Sequence, residues 1–204
     1  MTNEKASHWQ KSYETKGPEQ VSWTQQVPQP SLGLILALNL PKSARIIDCG
    51  GGDSTLADHL LAAGYQNITV LDIAGASLEK AKKRLGEKAY KINWIVADIL
   101  NFEPNESFDL WHDRAVFHFL TEQKDIQHYQ ELVTNWVNSY LIVGTFSDQG
   151  PEKCSGLPVS RYDEQGLQNT FTKAFKPLSC MRHDHVTPFG TTQNFVFCSF
   201  KKVS

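Results

Sequence analysis

Between Ala44 and Phe146, short apolar runs alternate with segments of helical spacing, and no other feature constrains the fold as tightly. Residues 44–49 form an apolar run halted by Gly50-Gly51-Gly52, which predicts a buried strand and a tight turn. Across 53–64 the apolar residues Leu56, Ala57, Leu60, Leu61 and Ala63 recur at helical spacing, closed by Gly64. Strands are predicted over 67–72, 93–97, 108–112 and 140–146, with helices over 76–85 and 121–137. Such alternation requires parallel pairing and right-handed crossovers, because each helix must carry the chain back over the sheet. The expected fold class is therefore α/β, a doubly wound sheet. Beyond Asp163 the pattern changes to one helix ending near Phe171, then strand-like runs over 178–186 and 194–200 joined by Thr187-Pro188-Phe189-Gly190. That ending predicts a C-terminal antiparallel hairpin, bringing the sheet to seven strands.

At 204 residues, 40% of them hydrophobic, the chain suits one core, so residues 1–204 are read as a single domain. Within it, 1–43 reads as an N-terminal helical cap and 44–204 as the core. A formal net charge of −2 gives no global attraction to nucleic acid, and none is expected as a partner. The longest apolar run, Leu32 to Leu40, is interrupted by Gly33 and Asn39 and falls far short of the roughly 20 residues that span a bilayer. Residues 1–5 lead into no apolar segment of signal-peptide type, so the expectation is a cytoplasmic protein without a membrane anchor. Cys49, Cys154, Cys180 and Cys198 show no short paired spacing, which predicts free thiols and no metal site.

The first strand runs into Asp48-Cys49-Gly50-Gly51-Gly52-Asp53-Ser54, an acidic-x-Gly-x-Gly-x-Ser pattern at a strand-to-helix turn. Glycine suits a turn where a side chain would obstruct a ligand or forbid the backbone angles. The amides that open the next helix would face whatever occupies that turn. The second strand ends in Asp72, followed by Ile73, and the third in Asp98, followed by Ile99. Each aspartate alone reads as a helix cap or solvated turn. Three acids after three successive strands converge on the sheet edge where open α/β folds bind ligands.

With these segments in place, the sequence resembles the class I S-adenosylmethionine (SAM)-dependent methyltransferases, over nearly all of residues 44–200. The resemblance implies a Rossmann-like fold and SAM as cofactor. It further implies that Asp48, Gly50, Gly51, Gly52 and Ser54 form the glycine motif, with Ser54 where a third glycine is usual. Asp72 would bind the ribose, Asp98 and Ile99 would flank the adenine, and Ile73 would also contact the cofactor. Trp111-His112-Asp113-Arg114-Ala115-Val116 is similar to a segment of thiopurine methyltransferases, and the tellurite-resistance methyltransferases share this layout.

Methyl transfer from a sulfonium is an in-line displacement that depends chiefly on alignment and the exclusion of water. A base matters only when the acceptor arrives protonated. His112, Asp113 and Arg114 lie after the predicted fourth strand and are the candidate catalytic residues; Asp113 with Arg114 also reads as a structural ion pair. Arg114 alternatively suits an anionic substrate, and His118 reads as a hydrogen-bonded core histidine. Trp23 is placed near the cofactor, while Trp9 and Tyr13 read as packing on the sheet. The turn-rich loop 148–162, with Cys154 and Leu157, resembles a lid beside the acceptor site.

The favoured acceptor is a small molecule, with a thiol or other soft nucleophile preferred; the alternative is a protein methyltransferase acting on a lysine. An NAD-binding oxidoreductase is weakened because the last glycine of that fingerprint would fall at Thr55. A non-catalytic SAM-binding module is the remaining reading, and oligomeric state is not legible.

Overall fold

The computed structural model describes residues 2–203. Ahead of the sheet lie α1 (Thr2–Thr15), a 3-10 turn at Pro18–Gln20 and α2 (Gln29–Ala37). The alternating region then gives β1 (Arg45–Cys49), α3 (Leu56–Ala62), β2 (Asn67–Asp72), α4 (Gly75–Leu85) and β3 (Ile92–Val96). It continues as β4 (Phe108–Arg114), α5 (Gln123–Trp136) and β5 (Val137–Phe146). A small ribbon, β6 (Lys153–Cys154) with β7 (Leu157–Pro158), precedes α6 (Glu164–Phe171), β8 (Phe175–Val186) and β9 (Thr192–Lys202).

The main sheet has seven strands in the order β3-β2-β1-β4-β5-β9-β8. Strands β1 to β5 pair in parallel, while β9 runs antiparallel between β5 and β8. This is the Rossmann-like, doubly wound architecture with its C-terminal hairpin. Of the two hairpin strands, β9 takes the inner position because Phe195, Val196, Phe197, Cys198 and Phe200 are all buried. Strand β8 leaves Leu178 and Met181 exposed and occupies the edge, where such residues are tolerated.

Side chains alternate across the sheet and so divide the core in two. On one face Ile46, Leu110 and Ile142 meet Ile35 of α2, Leu56 and Leu60 of α3 and Leu78 of α4. On the other, Ile47, Trp111 and Leu141 meet Leu132 and Val133 of α5 and Leu167 and Phe171 of α6. Each large side chain removed from water in this way contributes about 1.5–3 kcal/mol.

Two expectations need correction. Cys180 and Cys198 are not free thiols: they sit opposite one another on β8 and β9, with Cα atoms 4.1 Å apart, and are joined as a disulfide. Their separation of 18 residues conceals a pairing that only the hairpin register creates. Cys49 and Cys154 are free and buried. Strand β4 also extends to Arg114 rather than stopping at His112.

That extension places Asp113 on the α5 face, sharing its side of the sheet with Trp111. Asp113 makes no ion pair with Arg114 among the described residues. Its carboxyl accepts from the amides of Val116 (3.0 Å) and Phe117 (3.2 Å) and from the Tyr129 hydroxyl (2.7 Å). Tyr129 in turn accepts from Trp111 Nε1 at 3.1 Å, latching α5 to β4. Burial pushes the Asp113 carboxyl up to about 6. Tyr129→Phe withdraws one donor from this carboxylate, and urea unfolding at pH 8 is expected to show a loss of about 1.5–3 kcal/mol with an unchanged slope.

Candidate active site

A cavity of about 340 Å³ opens at the carboxyl ends of β1, β2 and β4 and is covered by the segment ahead of β1. It lies beside the β1–β4 junction, where the strand order reverses and doubly wound sheets bind ligands. Its volume is near the lower end of the roughly 300–1,000 Å³ typical of small-molecule sites.

The glycine turn forms the floor. Gly50 and Gly52 adopt φ of 66° and 50°, and a Cβ on Gly50 would fall 2.0 Å from the Val116 side chain. Gly50, Gly51 and Ser54 line the cavity, but Gly52 does not, because the Tyr13 hydroxyl lies 2.8 Å from where its Cβ would stand. The amides of Gly50 and Gly51 both donate to Leu71 O, at 2.7 and 3.2 Å. They are therefore committed to the backbone, and α3 begins at Leu56, not directly after the glycines as the sequence suggests. Arg84 on α4 braces the turn through the carbonyls of Asp53 (2.6 Å) and Ser54 (2.7 Å) and pairs with Asp58.

Asp48, Asp72 and Asp98 all border this one cavity, together with Ile73 and Ile99. Asp72 is buried and accepts from the Ala74 amide at 2.8 Å; burial pushes its carboxyl up to about 7. Asp98 accepts from the Leu100 amide at 3.0 Å, so it caps the 3-10 turn Ile99–Asn101 while facing the cavity. Among the described residues neither aspartate has a basic partner.

Asp48 is differently occupied. β1 and β4 pair with Asp48 opposite His112, and Asp48 Oδ1 lies 2.7 Å from His112 Nδ1. Both side chains are buried. In the neutral imidazole this contact places the proton on Nδ1, leaving the Nε2 lone pair without a partner in the cavity wall. Ser31 Oγ, Thr24 Oγ1 and Gln25 Oε1 are also buried, have no partner among the described residues and belong to lining residues. Groups of this kind are ready for a polar ligand.

Arg114 lies two residues beyond His112 and so projects to the same side of the sheet. Its Nη1 donates to Trp23 O at 3.5 Å, and its guanidinium lies 5.4 Å from the centre of the Phe195 ring. Burial pulls this group down to about 10. Trp23 lines the cavity, as do Trp9 and Tyr13, which therefore do more than pack on the sheet. Trp23 sits with ring centres 5.5 Å from Trp9 and 5.6 Å from Tyr13. His118 is enclosed: its Nδ1 accepts from the Phe146 amide at 3.3 Å, and burial pulls it down to about 3.

Sequence reasoning missed Tyr13, Ser31, Arg84 and Phe195. Phe195 reads as an ordinary core residue of a strand, and Arg84 as one more basic residue at a helix end. In the 148–162 loop, Cys154 reaches the cavity. The loop is tied down by Arg161 Nη1 donating to the carbonyls of Asp148 and Gly150, at 3.2 and 3.1 Å, and by the Ser160 amide donating to His118 O at 2.7 Å.

Residues 46–136 match the family model described as "Methyltransferase domain". The malonyl-[acyl-carrier protein] O-methyltransferase of Anoxybacillus flavithermus is 40% identical over 86 residues, which is 41% of this chain and 31% of that protein. Thiocyanate methyltransferase 1 of Brassica oleracea is 33% identical over 87 residues, 41% of this chain and 37% of that one. The chain thus spans about a third of the length of these curated relatives. The solved N-methyltransferase NodS from Bradyrhizobium japonicum, in complex with S-adenosyl-l-homocysteine, superposes with a TM-score of 0.71 at 16% identity, covering 96% of this chain and 98% of that one. The methyltransferase resemblance seen in the sequence therefore holds over residues 46–136, and the likeness of fold extends along the rest of the chain.

A carboxyl raised in the folded state, as Asp72 is, contributes stability that is complete below its unfolded value and lost as pH rises through its folded one. The Asp72→Asn variant is accordingly expected to gain on the natural chain between pH 4 and pH 8, by at most on the order of 4 kcal/mol. Urea unfolding of both chains across that range checks this, and a constant difference would show that Asp72 ionises in the fold at no cost.

Proposed function

We propose that this chain, which carries a class I methyltransferase domain, methylates a small-molecule acceptor using S-adenosylmethionine. The observation that carries the reading is a single cavity bordered by Asp72 and Asp98, which have no basic partners among the described residues, and by His112 and Arg114 of β4. The donor set fits the cofactor. Asp72 suits a pair of ribose hydroxyls, and Asp98 with Ile99 suits the edge and face of an adenine. Trp9, Tyr13 and Trp23 supply aromatic faces that attract a sulfonium and exclude water. Ser31, Thr24 and Gln25 offer unpartnered polar atoms for the amino acid part. When bound, the cofactor supplies a methyl group already activated by the positive charge on sulfur.

This chain's own part is to position and to move a proton. Asp48 holds the His112 ring in one tautomer, and Nε2 then takes the proton from the acceptor's nucleophilic atom. A thiol, hydroxyl or amine could deliver that proton; the soft nucleophile remains favoured because the enclosing wall is largely aromatic and aliphatic. A lysine ammonium fits poorly, since the Arg114 guanidinium would face it and Asp48 is already taken by His112.

Calorimetry with S-adenosylmethionine, S-adenosylhomocysteine and NAD tests the reading. Binding of the first two but not NAD is expected, and Asp72→Ala should weaken both by at least about tenfold while the protein stays folded. NAD binding without S-adenosylhomocysteine binding would overturn the assignment. Because Asp72 must ionise to accept two hydroxyls, S-adenosylhomocysteine affinity should rise with pH through about 7 and level off above it. In Asp72→Asn that rise should disappear.

A further inference from the structure

The Arg114 guanidinium carries five donors. Among the described residues it has one weak backbone contact, to Trp23 O at 3.5 Å, and no ion pair. A partly buried cation in this state bears a desolvation cost that its own protein offsets with no direct ion pair among the described residues.

Among the described residues, no element packed around it offers the guanidinium a paired carboxylate. Asp48, the nearest acid, is bound to His112. Cys154 stays a neutral thiol, pushed up to about 12 by burial. His118 is held neutral by burial, and His183 and His185 on β8 are lowered by burial and by the charge of Arg114 itself. The walls against it, Phe146, Cys154 and Phe195, are one apolar cluster.

Resting on the methyltransferase reading, we infer that the acceptor is a small, largely apolar molecule carrying a carboxylate, which Arg114 grips with paired hydrogen bonds at the β4–β5–β9 end of the cavity. A planar carboxylate matches the guanidinium fork, and an apolar body matches the aromatic wall. The cofactor carries a carboxylate too, but Ser31, Thr24 and Gln25 are the groups suited to its amino acid part, and the sheet order sets its nucleoside elsewhere. Asp72 and Asp98 follow β2 and β3, on the far side of β1 from β4, whereas Arg114 stacks on Phe195 of β9, beyond β5. Held by its carboxylate there, the acceptor would present its nucleophile towards His112, two residues back along β4.

The test uses the full chain saturated with S-adenosylhomocysteine, with benzoate and benzamide as matched probes followed by thermal melting and calorimetry. Benzoate is expected to raise the melting midpoint with concentration and benzamide to leave it unmoved. Arg114→Met should weaken benzoate by at least about tenfold, the scale of a lost charge-assisted pair. The same variant should keep its S-adenosylhomocysteine affinity and, without probe, melt no lower than the natural chain, because a cation without a direct ion pair is gone. Equal shifts from both probes, no shift from either, or an undiminished benzoate effect in the variant overturns the inference. A parallel loss of S-adenosylhomocysteine affinity in the variant overturns it as well, giving Arg114 to the cofactor carboxylate. Should Arg114→Met fail to fold, the benzoate and benzamide contrast on the natural chain decides alone. Failure of the natural chain to bind S-adenosylhomocysteine sinks the methyltransferase reading instead, and is seen before any probe is added.

Discussion

The period-two alternation along β4 is the constraint on which the rest of this structure depends. Four consecutive residues, Trp111, His112, Asp113 and Arg114, are dealt to opposite faces of the central sheet. Trp111 and Asp113 go to α5, where they meet Tyr129 and hold the turn that follows the strand. His112 and Arg114 go to the cavity, where one meets Asp48 and the other meets Trp23 and Phe195. A shift of one residue would exchange these roles entirely. Neighbouring strands in strict register remove that freedom: Asp48 opposes His112 on one side and Ile142 opposes it on the other.

Electrostatically, the cavity is a row of buried ionisable groups whose charges the protein does not balance locally. Burial raises Asp72 to about 7 and lowers Arg114 to about 10, so it disfavours the charged form of each, although Arg114 stays protonated at neutral pH. Local imbalance of this sort destabilises a fold and is tolerated where a ligand supplies the missing partner. The contrast with Asp113 is instructive. That carboxyl is equally buried, yet it accepts three hydrogen bonds from its own chain and has nothing left to offer a ligand.

The layers of the fold were legible because hydrophobic periodicity is local: helix and strand repeats over 44–146 and the terminal hairpin are written in neighbouring residues. Strand ends were less so. Val137 joins β5 directly after Trp136 of α5, and β4 continues through charged residues. Polar residues in a strand look like a loop until their tertiary partners are known, which is why the pattern suggested that β4 stopped at His112.

By itself, then, the sequence determined the sheet, the glycine bend and the acids at the carboxyl ends of β1, β2 and β3, since each is a matter of spacing along one segment. Tertiary structure alone decided that Asp48 is taken by His112, that Asp113 turns away from Arg114, and that Cys180 meets Cys198. It also brought Tyr13, Trp23 and Phe195, from opposite ends of the chain, to the same cavity. These outcomes depend on which strand lies beside which and in what register, and such long-range pairings leave no mark in the local pattern of residues.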